Sequence, residues 1–277
     1  MYLTGNKQSS KLEAAYSSLG SYGATLMVTN KCSYTVWPAI LSAARSLPVH
    51  TPGLVLQPGD TNTIQVPPTW SGRLWGRTLC SYNITGSFTC VTGDCISSTV
   101  ECGGATAPVT LAEFTLNGTG GLDYFDVSLV DGFNLPLVVE PRSAIGAENC
   151  RATGCRRNLN KKCPVELQVI KEGEGVVGCK SSCEVHEPCS NNSNLFSHFL
   201  KTRCPDAYHN ASFTCVSADF TITFCPAFSK SCCACNIWYR SPNRECRINM
   251  FFGRAKAKTH DPQQNTANSI VEMVDGH

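Results

Sequence analysis

The chain has 277 residues and is 42% hydrophobic, with 16% charged residues, a formal net charge of +2 and 18 cysteines. That apolar share suffices for a sizeable core. The near-neutral balance supplies no basic field for nucleic acid, and no apolar run reaches the roughly eighteen residues that a membrane-crossing helix needs. An even and very high cysteine count fits an oxidised framework of the secretory pathway and argues against reducing cytosol.

Residues 1–23 (MYLTGNKQSSKLEAAYSSLGSYG) hold no apolar stretch of leader length. They are left unassigned, and the signal peptide that export requires is expected to be missing from this chain. From residue 24, short β-rich runs separated by Pro, Gly and Asn recur at 24–29, 34–40, 61–66, 73–78, 111–117, 124–130, 137–140 and 219–225. In the run at 124–130, Phe125, Val127 and Leu129 alternate with Tyr124, Asp126 and Ser128, as in a strand with one buried face. The class is all-β, a sandwich or barrel. Between Cys150 and Cys204 the texture changes to cysteine-dense loops with one helix expected over 193–202, capped by Ser193 and striped by Leu195, Phe196, Phe199 and Leu200.

Four sequons, starting at Asn83, Asn117, Asn191 and Asn210, are candidates for glycosylation in an exported chain. Trp37, Trp70 and Trp75 read as packing residues. No nucleophile elbow, His-Glu-x-x-His pair or phosphate loop occurs, so no cofactor is expected. After residue 226, Cys232, Cys233 and Cys235 with the distant Cys246 lack the paired spacing of a zinc site. They are read as two further disulfides or free thiols in a disordered tail over 227–277, and no metal is assigned.

Three stretches carry more information than composition does: Cys32-Ser33-Tyr34-Thr35-Val36-Trp37, Arg73-Leu74-Trp75-Gly76-Arg77-Thr78-Leu79-Cys80, and Gly86-Ser87-Phe88-Thr89-Cys90-Val91-Thr92-Gly93-Asp94-Cys95. With Leu111-Ala112-Glu113-Phe114, the run from Asp126 through Asp131-Gly132-Phe133 to Pro136, Cys204-Pro205-Asp206-Ala207-Tyr208 and Thr221-Ile222-Thr223-Phe224-Cys225-Pro226, they form an ordered set. The set resembles the thaumatin-like proteins, a family of plant pathogenesis-related defence proteins, over residues 24–226.

The resemblance implies a β-sandwich of about eleven strands with two disulfide-rich excursions. The sandwich core would take 24–77, 108–156 and 205–226, the small loop region 78–107, and the larger region 157–204. Spacing alone leaves the connectivity open, since eight cysteines already allow about 105 pairings. Family pairing implies Cys32–Cys225, Cys80–Cys90, Cys95–Cys102, Cys150–Cys215, Cys155–Cys204, Cys163–Cys179 and Cys183–Cys189, one bridge fewer than the family's usual number. It also implies an acidic cleft, to which Arg73, Glu113, Asp126 and Asp131 correspond. A fifth acid of that cleft is absent, because Tyr208-His209-Asn210-Ala211 stand at its place in a shortened segment.

Clustered carboxylates beside an arginine either bind sugar hydroxyls or act as acid and base on a glycosidic bond. The leading expectation is a secreted, monomeric antifungal protein that binds fungal cell-wall β-1,3-glucan or another polysaccharide. A weak endo-β-1,3-glucanase, with Glu113 as acid and Asp131 or Asp126 as its partner, is one alternative. A hydrolase inhibitor or stress-response interaction protein without glucan activity is the other.

Overall fold

A computed structural model describes residues 23–49, 54–95, 97–142, 149–181, 199–200, 202–207, 213–216 and 219–227. The calls on residues 1–22 and on the cysteines of the tail lie outside them, as do Cys183, Cys189, Asn191 and Asn210. Of the helix expected over 193–202, Phe199, Leu200 and Thr202 are described as helical, with Leu200 buried in the core.

Thirteen strands are described. The first four are β1 (Ala24–Asn30), β2 (Trp37–Ser42), β3 (Thr61–Val66) and β4 (Ser71–Tyr82). They are followed by β5 (Phe88–Thr92), β6 (Leu111–Thr115), β7 (Asp123–Ser128) and β8 (Leu137–Arg142). The last are β9 (Thr153–Cys155), β10 (Gln168–Lys171), β11 (Gly175–Cys179), β12 (Phe213–Cys215) and β13 (Asp219–Phe224). One sheet has the order β3-β1-β13-β8-β9; the other has β12-β7-β6-β4-β2, with β5 paired to the far end of β4. A separate hairpin, β10-β11, lies in the larger loop region. The fold is all-β, and among the described residues no helix is long and apolar enough to cross a membrane.

Alternation explains the layering. Leu26 and Val28 of β1, Phe220, Ile222 and Phe224 of β13, and Leu137 and Val139 of β8 are fully buried on the inner face of the first sheet. Leu74, Ala112, Phe114, Phe125, Val127 and Phe213 face them from the second sheet, joining one core. Phe220 meets the Phe125 ring at 4.9 Å and the Phe114 ring at 5.2 Å, so the two sheets are keyed together by aromatic contacts. A smaller core of Ala39, Trp75, Cys95, Val109 and Leu111 forms where the small loop region covers one end of the second sheet's outer face. That cover also buries Ser128, which alternation alone would expose.

The sandwich is closed by its ends. β1 and β13 run parallel with Asn30 opposite Phe224, so the residues just beyond them, Cys32 and Cys225, come within 4.9 Å Cα to Cα and are bonded across 193 residues. The described residues also hold Cys80–Cys90, Cys95–Cys102, Cys150–Cys215, Cys155–Cys204 and Cys163–Cys179. Asn134 ties the small region to the second sheet. Its amide nitrogen donates to the Gly76 carbonyl and Thr92 Oγ1, and its Oδ1 accepts from the Thr110 and Leu135 amides. The larger region is docked by a bridge between Phe133 and Cys179. That approach needs Gly132, whose φ is +88° and where a side chain would meet the Cys179 carbonyl at 2.5 Å.

Candidate functional site

The site is built by register. Across the second sheet, Leu41 of β2 stands opposite Arg73 of β4, Arg73 opposite Glu113 of β6, and Glu113 opposite Asp126 of β7. Directly opposed residues point to the same face, and here that is the outer face, because their strand neighbours Leu74, Phe114 and Phe125 are buried inside. Two residues along each strand, Ser71, Thr115 and Tyr124 form a second row beside the first. A cleft of about 470 Å³ opens over the two rows, walled on one side by Ser42, Ala43 and Ala44 at the end of β2. Gly72 lines its floor, and a side chain there would collide with the Trp70 ring and the Leu41 carbonyl.

Arg73, Glu113 and Asp126 all line this cleft, each half-buried. Asp131 does not. It sits past β7 in the turn before Gly132, its backbone carbonyl accepting from the Val109 amide at 3.0 Å. Its charge still reaches Glu113. Burial raises the Glu113 pKa, Arg73 opposes that rise, and Asp131 adds to it. Asp126 is pushed up further, from 3.8 to about 6, by burial first and by the neighbouring Glu113 second. The neighbouring Glu113 charge helps hold the proton on Asp126. The carboxyl set beside Glu113 is Asp126.

The ion pairs among the described residues, Arg151–Asp206 and Arg156–Glu140, involve no residue of the cleft. Among the described residues Arg73 faces its acidic neighbours without a closed pair, which leaves its guanidinium donors available to a ligand there. Chemically the floor offers a cation, two adjacent carboxyl groups whose pKa values burial raises, two hydroxyl side chains and the edge of a tyrosine. Such a set exchanges hydrogen bonds with a polyhydroxylated ligand at several points at once.

Thr115 and Tyr124 were legible as face-mates of Glu113 and Asp126 from strand alternation. The wall at Ser42–Ala44 was not, because it lies where β2 runs out into a loop. The glycosylation candidate Asn83 lies in the exposed β4–β5 turn, and Asn117 lies exposed just past β6 with φ +48°.

The fold and cleft define a disulfide-stapled β-sandwich with a polar, acid-bearing groove on the outer face of one sheet. Residues 30–226 match the Thaumatin family, and the chain belongs to that family. It is 44% identical over 240 residues to Thaumatin-like protein 1 of Arabidopsis thaliana, which covers 76% of this chain and 90% of the relative. It is 42% identical over 226 residues to Pathogenesis-related thaumatin-like protein 3.5 of Cryptomeria japonica, covering 74% and 91%. It is also 43% identical over 222 residues to PR5-like receptor kinase of Arabidopsis thaliana, of which it spans only 33%.

Proposed function

We propose that this is an exported defence protein whose cleft binds β-1,3-glucan of fungal cell walls and so acts against fungi. The observation that carries the reading is the Arg73-Glu113-Asp126 row, brought side by side by the register of three central strands inside a cleft of about 470 Å³. Such a volume suits a few sugar units. An extended polysaccharide running along the groove would meet the charged row and then the Ser71-Thr115-Tyr124 row. Export is supported by six disulfides among the described residues, a framework that persists in oxidising compartments.

One observation favours weak endo-β-1,3-glucanase activity as a second reading. Glu113 and Asp126 stand directly opposite each other on the ladder and burial raises both carboxyls, Asp126 to about 6, and a carboxyl that keeps its proton beside a second one is what glycoside cleavage uses. Sedimentation of the protein with insoluble β-1,3-glucan, followed by measurement of released reducing ends, separates the readings. Wild type should co-sediment and a Glu113→Gln, Asp126→Asn double variant should stay in solution. Equal retention of both would remove the cleft from the account, and reducing ends released by wild type alone would establish hydrolysis.

A further inference from the structure

The β4–β5 turn carries a chemistry that the cleft does not use. Its hairpin is clamped by Cys80 and Cys90, which stand opposite each other in the ladder and are bonded. Beyond the clamp, Asn83 begins the sequon Asn83-Ile84-Thr85. The Oδ1 of Asn83 accepts three hydrogen bonds from within the turn: from the Thr85 amide at 2.9 Å, the Thr85 hydroxyl at 2.7 Å and the Ser87 amide at 2.9 Å. A planar amide places its oxygen and nitrogen on opposite sides of Cγ, so an oxygen turned into the loop leaves Nδ2 turned out of it. All three bonds span at most four residues, so the conformation forms locally, before the long-range pairing of the sheets.

We infer that Asn83 is an N-glycosylation site of this chain and that its first sugar covers the apolar tip of the hairpin. The inference rests on the export proposed above. In the transfer, Nδ2 attacks the anomeric carbon of an oligosaccharide carried on a polyprenyl pyrophosphate. The new bond is nitrogen to carbon. The carbon–oxygen bond to phosphate breaks with its electron pair leaving on the pyrophosphate, and the Nδ2 proton passes to a base of the transferring enzyme.

The surroundings supply a reason for a sugar here. Tyr82 is 64% exposed and Ile84 fully exposed on either side of Asn83, and the Tyr82 ring is held by Phe88 at 5.0 Å between centroids. A fixed aromatic face beside the attachment point is a surface on which a pyranose ring packs. Position matters too. Asn83 lies past the end of β4 and beyond the Cys80–Cys90 clamp, outside the cleft lining, so a glycan there leaves the cleft open. The sequon at Asn117 begins two residues from Thr115, which lines the cleft. Its Tyr124 partner donates to the Thr119 carbonyl inside the sequon itself.

The test is secretion of the full chain from a eukaryotic host behind a cleavable leader, followed by peptide mass mapping with and without peptide-N-glycosidase. The peptide holding Asn83 should carry a glycan that the enzyme removes, leaving a deamidation tag at that residue. Asn83→Gln and Thr85→Ala should abolish it, Thr85→Ser should retain it, and deglycosylation of wild type should raise the fluorescence of an apolar-surface dye severalfold. An oxidised chain with a bare Asn83 would overturn the site while leaving export standing. Free thiols at Cys32 and Cys225 in the protein taken from its native tissue would overturn both.

Discussion

Replacing Asp126 with asparagine isolates what the cleft costs the fold. The folded protein holds the Asp126 proton up to about pH 6, against 3.8 for the unconstrained group. Between those values the native state binds more protons than the unfolded chain, so stability is full below about pH 4 and declines as pH rises through 6. Two pH units at about 1.4 kcal/mol each set a ceiling of roughly 3 kcal/mol. The group is half-buried, and solvent screening reduces this to roughly 1–1.5 kcal/mol. Asp126→Asn keeps the shape and removes the charge, so it should stabilise the protein by about that amount at pH 7.5 and by almost nothing at pH 4. At roughly 2–4 °C per kcal/mol for a domain of this size, calorimetry should find the variant's Tm higher than wild type by about 2–6 °C at pH 7.5. An offset that is the same at both pH values, or negative at pH 7.5, would refute the placement of a protonated carboxyl in this wall.

The same titration should govern binding. A charged carboxylate accepts more strongly than a neutral carboxyl, so glucan affinity is expected to rise roughly fivefold as pH climbs from 5 to 7.5, with the dependence lost in Asp126→Asn; retention assays on insoluble glucan across that range measure it. Asn134→Ala would leave the Thr110 and Leu135 amides and the Gly76 carbonyl without their buried partner, a loss of about 3 kcal/mol that urea midpoints would register. Removing the longest bridge among the described residues with Cys32→Ser and Cys225→Ser releases a loop of 193 residues and should cost roughly 5 kcal/mol in the chain-entropy account. An unchanged denaturation midpoint would place the stability in the core instead.

The sequence revealed most where periodicity and spacing act together. Phe125 and Val127 against Tyr124 and Asp126 have the two-residue period of a strand, and the structure buries the first pair and half-exposes the second. Ser128 broke the pattern because a distant segment, the small loop region, covers its end of the sheet, which no local period records. Strands β5, β9, β10 and β11 escaped notice for a related reason: each is three to five residues long and pairs through disulfide-pinned loops, with no long alternating run to mark it. The acids were legible as types and as outward-facing residues. Which carboxyl sits beside Glu113 was not, since Asp126 and Asp131 are only five residues apart and differ in that one is on the ladder and the other in the turn beyond it.

That distinction bears on the missing fifth acid. A cleft whose charges came from loops would be weakened by a shortened loop, because the loop's own conformation would hold the geometry. Here Arg73, Glu113 and Asp126 are held by the register of β4, β6 and β7, and that register is locked from behind: slipping any of these strands by one residue would turn Leu74, Phe114 and Phe125 out of the core and the charges into it. Phe114 and Phe125 both pack on Phe220 of the opposite sheet, so the price of a slip is the aromatic centre of the whole sandwich. The central row is therefore insulated from the change between Cys189 and Cys215. The geometry of these three side chains is held by the sheet itself, which is why the Glu113→Gln, Asp126→Asn pair is the decisive substitution for this cleft.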